Sequence, residues 1–451
     1  MKGTLKNDKS EFGKKLLTLV LPIAFQQFML ATVSASDAIM LGMIDQASLS
    51  AVSLAGQIQF VFNLFLAAMT IGTSIFAAQY WGKGDKAAVE KILAIALRIS
   101  AAVSIGFFAA AVFFPAFLMR IFTPDAELIG AGVQYLRVVG VSYVLCGVSQ
   151  IYLCIMKNSE RAGKSTIISS VAVVLNIFLN AVFIFGLWGA PKMGIAGAAL
   201  ATVISRIVEL LWALFDSKGA GRIKVRMTYM IHTDTLLKRD FWKYTLPVLG
   251  NELVWGCGFT MYSVIMGHLG TDAVAANAIA NIVKNLIACF CLGLGSGGGI
   301  IVGNELGAGR LDTARTYGRR LCRLSIVSGV ISGVFLLALS PAILTFSNLT
   351  PQANTYLKWM LIMCSYYMIG KAVNGTTIAG IFCAGGDSKF GFLCDTVTLW
   401  CITVPLGLIA AFVLKLPVLA VYFIVNLDEL VKLPAVYRHY KKYIWVKDLT
   451  V

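Results

Sequence analysis

Long apolar stretches separated by short polar loops run through the whole chain. A helix needs about 20 consecutive apolar residues to cross the hydrocarbon of a bilayer. Twelve stretches reach that length, at roughly 15–42, 49–80, 90–119, 128–156, 165–188, 195–215, 242–268, 274–304, 321–346, 356–382, 390–414 and 417–436. Several are well beyond the minimum, which predicts tilted helices or helix ends outside the lipid. The first stretch superficially resembles a secretory leader, with Lys14 and Lys15 ahead of it and Val33-Ser34-Ala35 shaped like a cleavage site. Its apolar run is too long for a leader and similar stretches follow, so it is expected to be an uncleaved first span.

Composition strengthens the membrane reading. Of 451 residues, 58% are hydrophobic and 13% charged, and the mean hydropathy is +0.80. So few charges cannot cover a water-soluble surface, which excludes a soluble enzyme, and so much apolar surface excludes disorder. The net charge of +16 is read by position rather than as affinity for nucleic acid. Counted over alternate loops and both ends, 29 Lys and Arg fall on one side and only Arg120, Lys192 and Lys415 on the other. Basic residues collect in cytoplasmic loops, so twelve spans with both termini in the cytoplasm are expected. The ten cysteines fall mostly inside apolar runs and are expected to be small buried hydrophobes. His232, His268 and His439 are too scattered for a metal site.

The chain also repeats itself. Sliding it along itself without gaps until Leu21-Pro22 meets Leu246-Pro247 also places Gly42 on Gly267, Ala51 on Ala276, Ala55 on Ala280 and Gly72 on Gly297. Gly82 and Gly84 fall on Gly307 and Gly309, and Arg98 on Arg323. The prolines weigh most, because proline is scarce here and interrupts a helix at a defined point. The expected organisation is an N-lobe at 1–215 with helices 1–6, a polar cytoplasmic linker at 216–241, and a C-lobe at 242–451 with helices 7–12 and a short basic tail. The fold class is all-α integral membrane, with twelve transmembrane helices in two pseudosymmetric six-helix bundles. Six spans per copy make the repeats parallel, an arrangement of transporters that rock two bundles about a central site.

Ionisable residues inside spans are costly and point to function. Asp37 lies in the outer part of span 1, and Glu252 about ten residues into span 7, where the repeat sets it opposite Gln27. Span 5 carries Asn176 and Asn180 one helical turn apart on one face, and span 6 carries Thr202. Amide and hydroxyl oxygens beside one carboxylate suit Na⁺, or relay a proton to Asp37; the same residues also read as hydrogen bonds between helices. Lys284, Lys371 and Arg137 are candidate counter-charges to Glu252 or Asp395, while Glu209, Asp428 and Glu429 read as caps or salt bridges near span ends. The run Gly293-Leu-Gly-Ser-Gly-Gly-Gly299 lies inside span 8 without a following Lys-Ser/Thr, so it predicts close helix contact or a bend rather than a phosphate loop.

Together these residues resemble the multidrug and toxic compound extrusion (MATE) family over essentially the whole chain. The resemblance rests on Asp37-Ala-Ile-Met-Leu-Gly42 followed by Ala51-Val-Ser-Leu-Ala-Gly56, on Gln79-Tyr-Trp-Gly-Lys-Gly84, and on Leu175-Asn176 through Phe185-Gly186. Gly194-Ile-Ala-Gly-Ala-Ala-Leu-Ala-Thr202, Ala275-Ala276, Gly303-Asn-Glu-Leu-Gly-Ala-Gly309 and Gly385-Gly386-Asp387 add to it. The resemblance implies cation-coupled efflux of amphipathic, often cationic, compounds. It implies that Asp37 matches the N-lobe carboxylate on helix 1, with Asn176 and Thr202 as polar partners, and that Glu252 matches the C-lobe carboxylate on helix 7. Asn180 departs from relatives that carry a second Asp at that position, which removes one negative charge from the N-lobe site.

The expected protein is therefore not an enzyme but an antiporter working by alternating access. Asp37, Asn176, Asn180 and Thr202 form the cation- or proton-coupling site and hold Na⁺ if that is the ion. Glu252, Gln27 and Lys284 form a substrate-binding or second coupling site. No cofactor is expected beyond H⁺ or Na⁺ as coupling ion. Expected partners are a small amphipathic substrate and the lipid bilayer, with no nucleic acid, and the chain is expected to be a monomer in the cytoplasmic (inner) membrane. The alternative is a lipid-linked oligosaccharide or other lipid flippase, which would need a cationic cavity for a pyrophosphate.

Overall fold

In hydrocarbon no water is available to the backbone, so each N–H and C=O must be satisfied within its own segment, and an apolar stretch becomes a helix. A computed structural model describes residues 10–44, 46–232, 234–347 and 349–450. Among the described residues the chain is all helix and turn, without strands. The order is α1 (Leu21–Gly42), α2 (Gln46–Lys83), α3 (Lys86–Phe113), α4 (Ala126–Asn158), α5 (Ala162–Phe185) and α6 (Ile195–Ser217). There follow α7 (Thr235–Gly267), α8 (Thr271–Gly307), α9 (Leu311–Phe346), α10 (Pro351–Asn374), α11 (388–413) and α12 (418–440). These twelve correspond in order to the twelve apolar stretches, giving an all-α multi-pass membrane fold of two six-helix sets related by the repeat. Lys2, Lys6 and Lys9 lie outside the described residues. Helix α2 has 38 residues and α8 has 37, so each is about 55 Å long at the α-helical rise and overruns a hydrocarbon core about 30 Å thick.

Three departures from the sequence expectation are instructive. The first helix already begins at Ser10, with a π-helical turn at Leu16–Val20 just before Pro22. The loop at 216–241 is not a bare linker. It carries a short helix, Met227–Ile231, and is held to the start of α3: Arg226 pairs with Glu90 at 2.5 Å, the Lys224 N–H donates to Glu90 at 3.2 Å, and Lys91 pairs with Asp234 at 3.2 Å. The twelfth span is broken rather than continuous, into Val418–Val425, Asp428–Val431 and Leu433–Tyr440. Two residues account for the breaks. The Asn426 amide donates to the Tyr422 carbonyl at 2.9 Å and competes with the backbone ladder, and Pro434 has no N–H with which to continue it.

The chain forms two compact units. One comprises Met29–Ala77 and Asp85–Trp242, in which α4 packs on α3 and α6, and α5 on α6. Its core gathers Phe62, Leu136, Val139, Tyr143 and Ala199, with the rings of Phe62 and Tyr143 5.0 Å apart. The other comprises residues to Phe28, Ala78–Gly84 and Lys243–Val451. There α8 is the central element. Its glycines at 293 and 297 lie against Ala24 and Val20 of the first helix, and those at 295 and 299 against the backbone of Gly375 and Gly380 in a π-helical continuation of α10. The Gly-rich run is thus a two-sided surface for close helix approach.

Within this second unit the end of α2 meets the end of α8 in a self-complementary contact. A Cβ on Gly82 would fall 2.0 Å from the Asn304 carbonyl oxygen, and a Cβ on Gly307 would fall 1.8 Å from that of Gln79. The shift that sets Pro22 on Pro247 also maps Gln79 to Asn304 and Gly82 to Gly307, so equivalent positions of the two repeats face one another. The Gln79 side chain donates to the Ala384 carbonyl at 2.7 Å and accepts from the Leu449 N–H at 2.7 Å, tying the C-terminal tail to the same place. Since both obstructions are backbone, Gly307→Ala is expected to destabilise the protein by at least about 1–3 kcal/mol, as overpacked cores do. Thermal unfolding of the purified variant in detergent checks this, and an unchanged Tm would contradict the packing.

Candidate functional site

In the first unit, four residues from three helices converge. Asn176 and Asn180 share a face of α5 because they stand one turn apart, and Thr202 comes from α6 and Asp37 from α1. The Asn180 amide nitrogen donates to Asp37 Oδ1 at 2.5 Å and to Asn176 Oδ1 at 3.2 Å. The Asn176 amide in turn donates to the hydroxyls of Thr202 at 3.3 Å and Ser205 at 3.4 Å. Asn180 is fully buried and Asn176 nearly so, while Asp37 and Thr202 are half-buried.

The network has a gap. The Asn180 amide donates both to Asp37 and to Asn176, while the Asn176 amide donates onward to Thr202 and Ser205, so Asp37 is an acceptor at one end, held by an amide rather than by a cation. Asn180 Oδ1 is buried with no hydrogen-bond partner among the described residues. A buried carbonyl without a partner is expensive, and here it sits on the same amide that binds the carboxylate. Arg206 is close enough for its charge to act on Asp37, yet its Nη1 is bonded to Glu209 at 2.9 Å. Glu209 is fully buried and also accepts from Ser149 at 2.6 Å and Gln150 at 3.2 Å. Arg206 is therefore spent on Glu209.

The second unit holds a larger cluster. Lys432, beyond the first break in α12, lies 2.9 Å from Asp395, 3.3 Å from Glu429 and 4.0 Å from Asp428. All four are buried. Lys371 of α10 pairs with Glu429 at 3.5 Å and lies 5.0 Å from the ring centre of Trp255. Asn374, one turn further along, donates to Glu429 Oε2 at 2.7 Å. Asn251, with its amide nitrogen turned toward the carboxylate, donates to Asp395 Oδ2 at 2.9 Å and to the Gly391 carbonyl at 3.1 Å. Glu252 is half-buried and has no hydrogen bond or ion pair among the described residues, although the charges of Lys371 and Asp395 reach it.

These placements revise several sequence readings. The ion-pair partner of Asp395 is Lys432, not Lys284, Lys371 or Arg137, because the breaks in α12 let the Lys432 side chain turn back on three carboxylates. Arg137 is exposed and belongs to the other unit. Gln27 is half-buried without a hydrogen bond among the described residues, whereas its neighbour Gln26 is the buried amide. Sequence reasoning missed Ser205 and Arg206. A signal for them existed, since Thr202, Ser205, Arg206 and Glu209 recur at the spacing of one helix face in an otherwise apolar span. Nine helices among the described residues are long and apolar enough to span by composition alone. Of the other three, α7 and α10 carry Glu252 and Lys371 among further polar residues that lower their hydropathy, whereas α12 falls outside the nine because its breaks leave no single helix of spanning length.

A family model described as MatE matches residues 22–182 and 247–409, two segments that begin on the two prolines equated by the internal repeat. The uncharacterized transporter YisQ of Bacillus subtilis (strain 168) is 22% identical to this chain, over 99% of the chain and 98% of that protein. A probable multidrug resistance protein NorM of Halalkalibacterium halodurans is 23% identical over 89% of the chain and 88% of that protein. Among solved structures, a MOP superfamily transporter from Pyrococcus furiosus superposes with a TM-score of 0.87 at 17% identity, covering 96% of this chain and 95% of that one.

Proposed function

The chain belongs to the MatE family of membrane transporters, and on that premise we propose that it is an antiporter that exports amphipathic compounds in exchange for H⁺ or Na⁺ entering at Asp37. The observation that carries the proposal is the hydrogen-bonded chain from Thr202 through Asn176 and Asn180 to Asp37, with Asn180 Oδ1 left without a partner. With Asp37 ionised, the Asn180 amide offers its N–H. With Asp37 protonated, the amide turns over and Oδ1 accepts the new O–H. Na⁺ would instead bind between the carboxylate and that same oxygen. Either ion neutralises a carboxylate whose charge is costly at this depth. Alternation between loaded and unloaded Asp37 biases the two orientations of the transporter by the differential affinity of the ion for them.

In the same proposal the protein lies in the cytoplasmic membrane with both termini inside, supported by the 29-to-3 distribution of Lys and Arg. Glu252 and the aromatic ring of Trp255 beside Lys371 offer the second unit's contact to substrate. The test is purified protein in proteoliposomes with an imposed Na⁺ or H⁺ gradient and ethidium as the reporter cation. One of the two gradients is expected to accelerate ethidium movement several-fold over protein-free vesicles. No response to either gradient would refute ion coupling.

A further inference from the structure

The charges of the second unit do not all pair with one another. Lys432 is enclosed by Asp395, Glu429 and Asp428, and Lys371 is bonded to Glu429. Lys284 has neither kind of partner. It lies well inside α8 and is 8% exposed, with its Nζ 4.6 Å from the ring centre of Tyr367. No carboxylate or carbonyl is bonded to it among the described residues. Asp428 and Glu429 are near enough to act on it through space, but their direct contacts go to Lys432, Lys371 and Asn374. An ammonium buried without an ion pair is costly, and a single aromatic face returns only about 2 kcal/mol.

The same helix face carries further donors. Asn277, Asn281 and Lys284 follow one another at four- and three-residue spacing, and Asn281 donates to Asn277 at 3.3 Å. Both amides are half-buried, and the Asn277 Nδ2 group has no acceptor among the described residues. The opposite face of α8, with Val283, Leu286, Ile287 and Phe290, instead lines an apolar groove with Leu21, Phe25 and residues of α9. Thus α8 separates an apolar side from a side of N–H donors ending in Lys284, whose ammonium has no direct ion-pair or hydrogen-bond partner among the described residues.

We propose that Lys284, with the amides of Asn277 and Asn281, is a docking site for an anionic group, so that the transported compounds include amphipathic acids bearing a carboxylate, sulfonate or phosphate. This rests on the transporter reading and names a substrate class for its second unit. Lys284 supplies the charge, the amides bond the remaining anion oxygens, and the Tyr367 ring holds the ammonium in place when the site is empty. The same chemistry would accept the headgroup of an anionic phospholipid.

The experiment is binding rather than transport, so it stays readable whether or not ion coupling is demonstrated. Anilinonaphthalene sulfonate and its uncharged analogue phenylnaphthylamine are titrated into purified protein in phosphatidylcholine nanodiscs, read by energy transfer from tryptophan. Wild type is expected to prefer the sulfonate at least about tenfold, the worth of one charge-assisted hydrogen bond. Lys284→Met and Lys284→Gln are expected to abolish that preference, and Lys284→Arg to keep it, with thermal unfolding profiles showing which variants are folded. Equal affinity of wild type for the two dyes overturns the proposal without any variant. An undiminished preference in a folded Lys284→Met or Lys284→Gln overturns it as well. Nanodiscs containing phosphatidylglycerol identify the source of the anion. Displacement of the sulfonate by that lipid assigns the site to a headgroup, and undisturbed binding assigns it to a free organic acid.

Discussion

Asp37→Asn is expected to abolish ion-driven transport while leaving the protein folded. The substitution keeps the shape of the side chain and its contact with Asn180, but an amide cannot alternate between charged and neutral forms. The loss of coupling should fall in the range of about 5- to 150-fold that coupled sites commonly show, which in a vesicle assay approaches the background leak. Uptake into inside-out vesicles at matched protein levels measures it. Full activity in Asp37→Asn would overturn the assignment and leave the polar chain of α5 and α6 as helix packing. Glu252→Gln separates the two units in the same assay. Glu252 lacks the polar neighbours that surround Asp37, so its loss should impair transport less, with substrate affinity falling more than ion dependence. Loss of activity in Glu252→Gln alone would move coupling to the second unit.

Lys432→Met should produce the largest change in stability. Methionine matches the length of the lysine stem but leaves Asp395, Asp428 and Glu429 buried with one ammonium, Lys371, among them. Removing one partner of a buried ion pair costs about 3–5 kcal/mol, because the remaining charge stays desolvated and unanswered. In a unit of roughly 200 residues that corresponds to a fall in Tm on the order of 10 °C, measurable by size-exclusion chromatography after heating. Adding Asp395→Asn to Lys432→Met should recover part of the loss, since it removes one orphaned carboxylate, and the two substitutions should be non-additive. A Tm within about 2 °C of wild type for Lys432→Met would show that the cluster is hydrated rather than buried.

Much of this protein is legible without coordinates, for a physical reason. A bilayer enforces one solution on an apolar stretch of sufficient length, so twelve helices and their order follow from hydropathy. The repeat follows from Pro22 and Pro247 and from the glycines that share the same shift. Asp37 and Glu252 stand out because a carboxylate in hydrocarbon is rare and costly. The spacing of Asn176 and Asn180 places them on one face, although spacing alone leaves them readable as packing.

Tertiary structure decided the partners, which depend on residues remote in sequence. It brought Asp37 of α1 to Asn180 of α5, left Asn180 Oδ1 without a partner, and gave Arg206 to Glu209. The internal repeat aligned Gln79 with Asn304 and Gly82 with Gly307, but only the fold showed that these equivalents touch. The breaks in α12 were hidden because residues 417–436 look apolar enough to span, and hydropathy averages over the local competition set by Asn426 and Pro434. Those breaks turn Lys432 onto Asp395 and Glu429, and the packing sets Lys284 against an aromatic ring instead of a carboxylate. Hydropathy fixes which segments enter the membrane, whereas charge pairing depends on which side chains the packing then places within a few ångströms of one another.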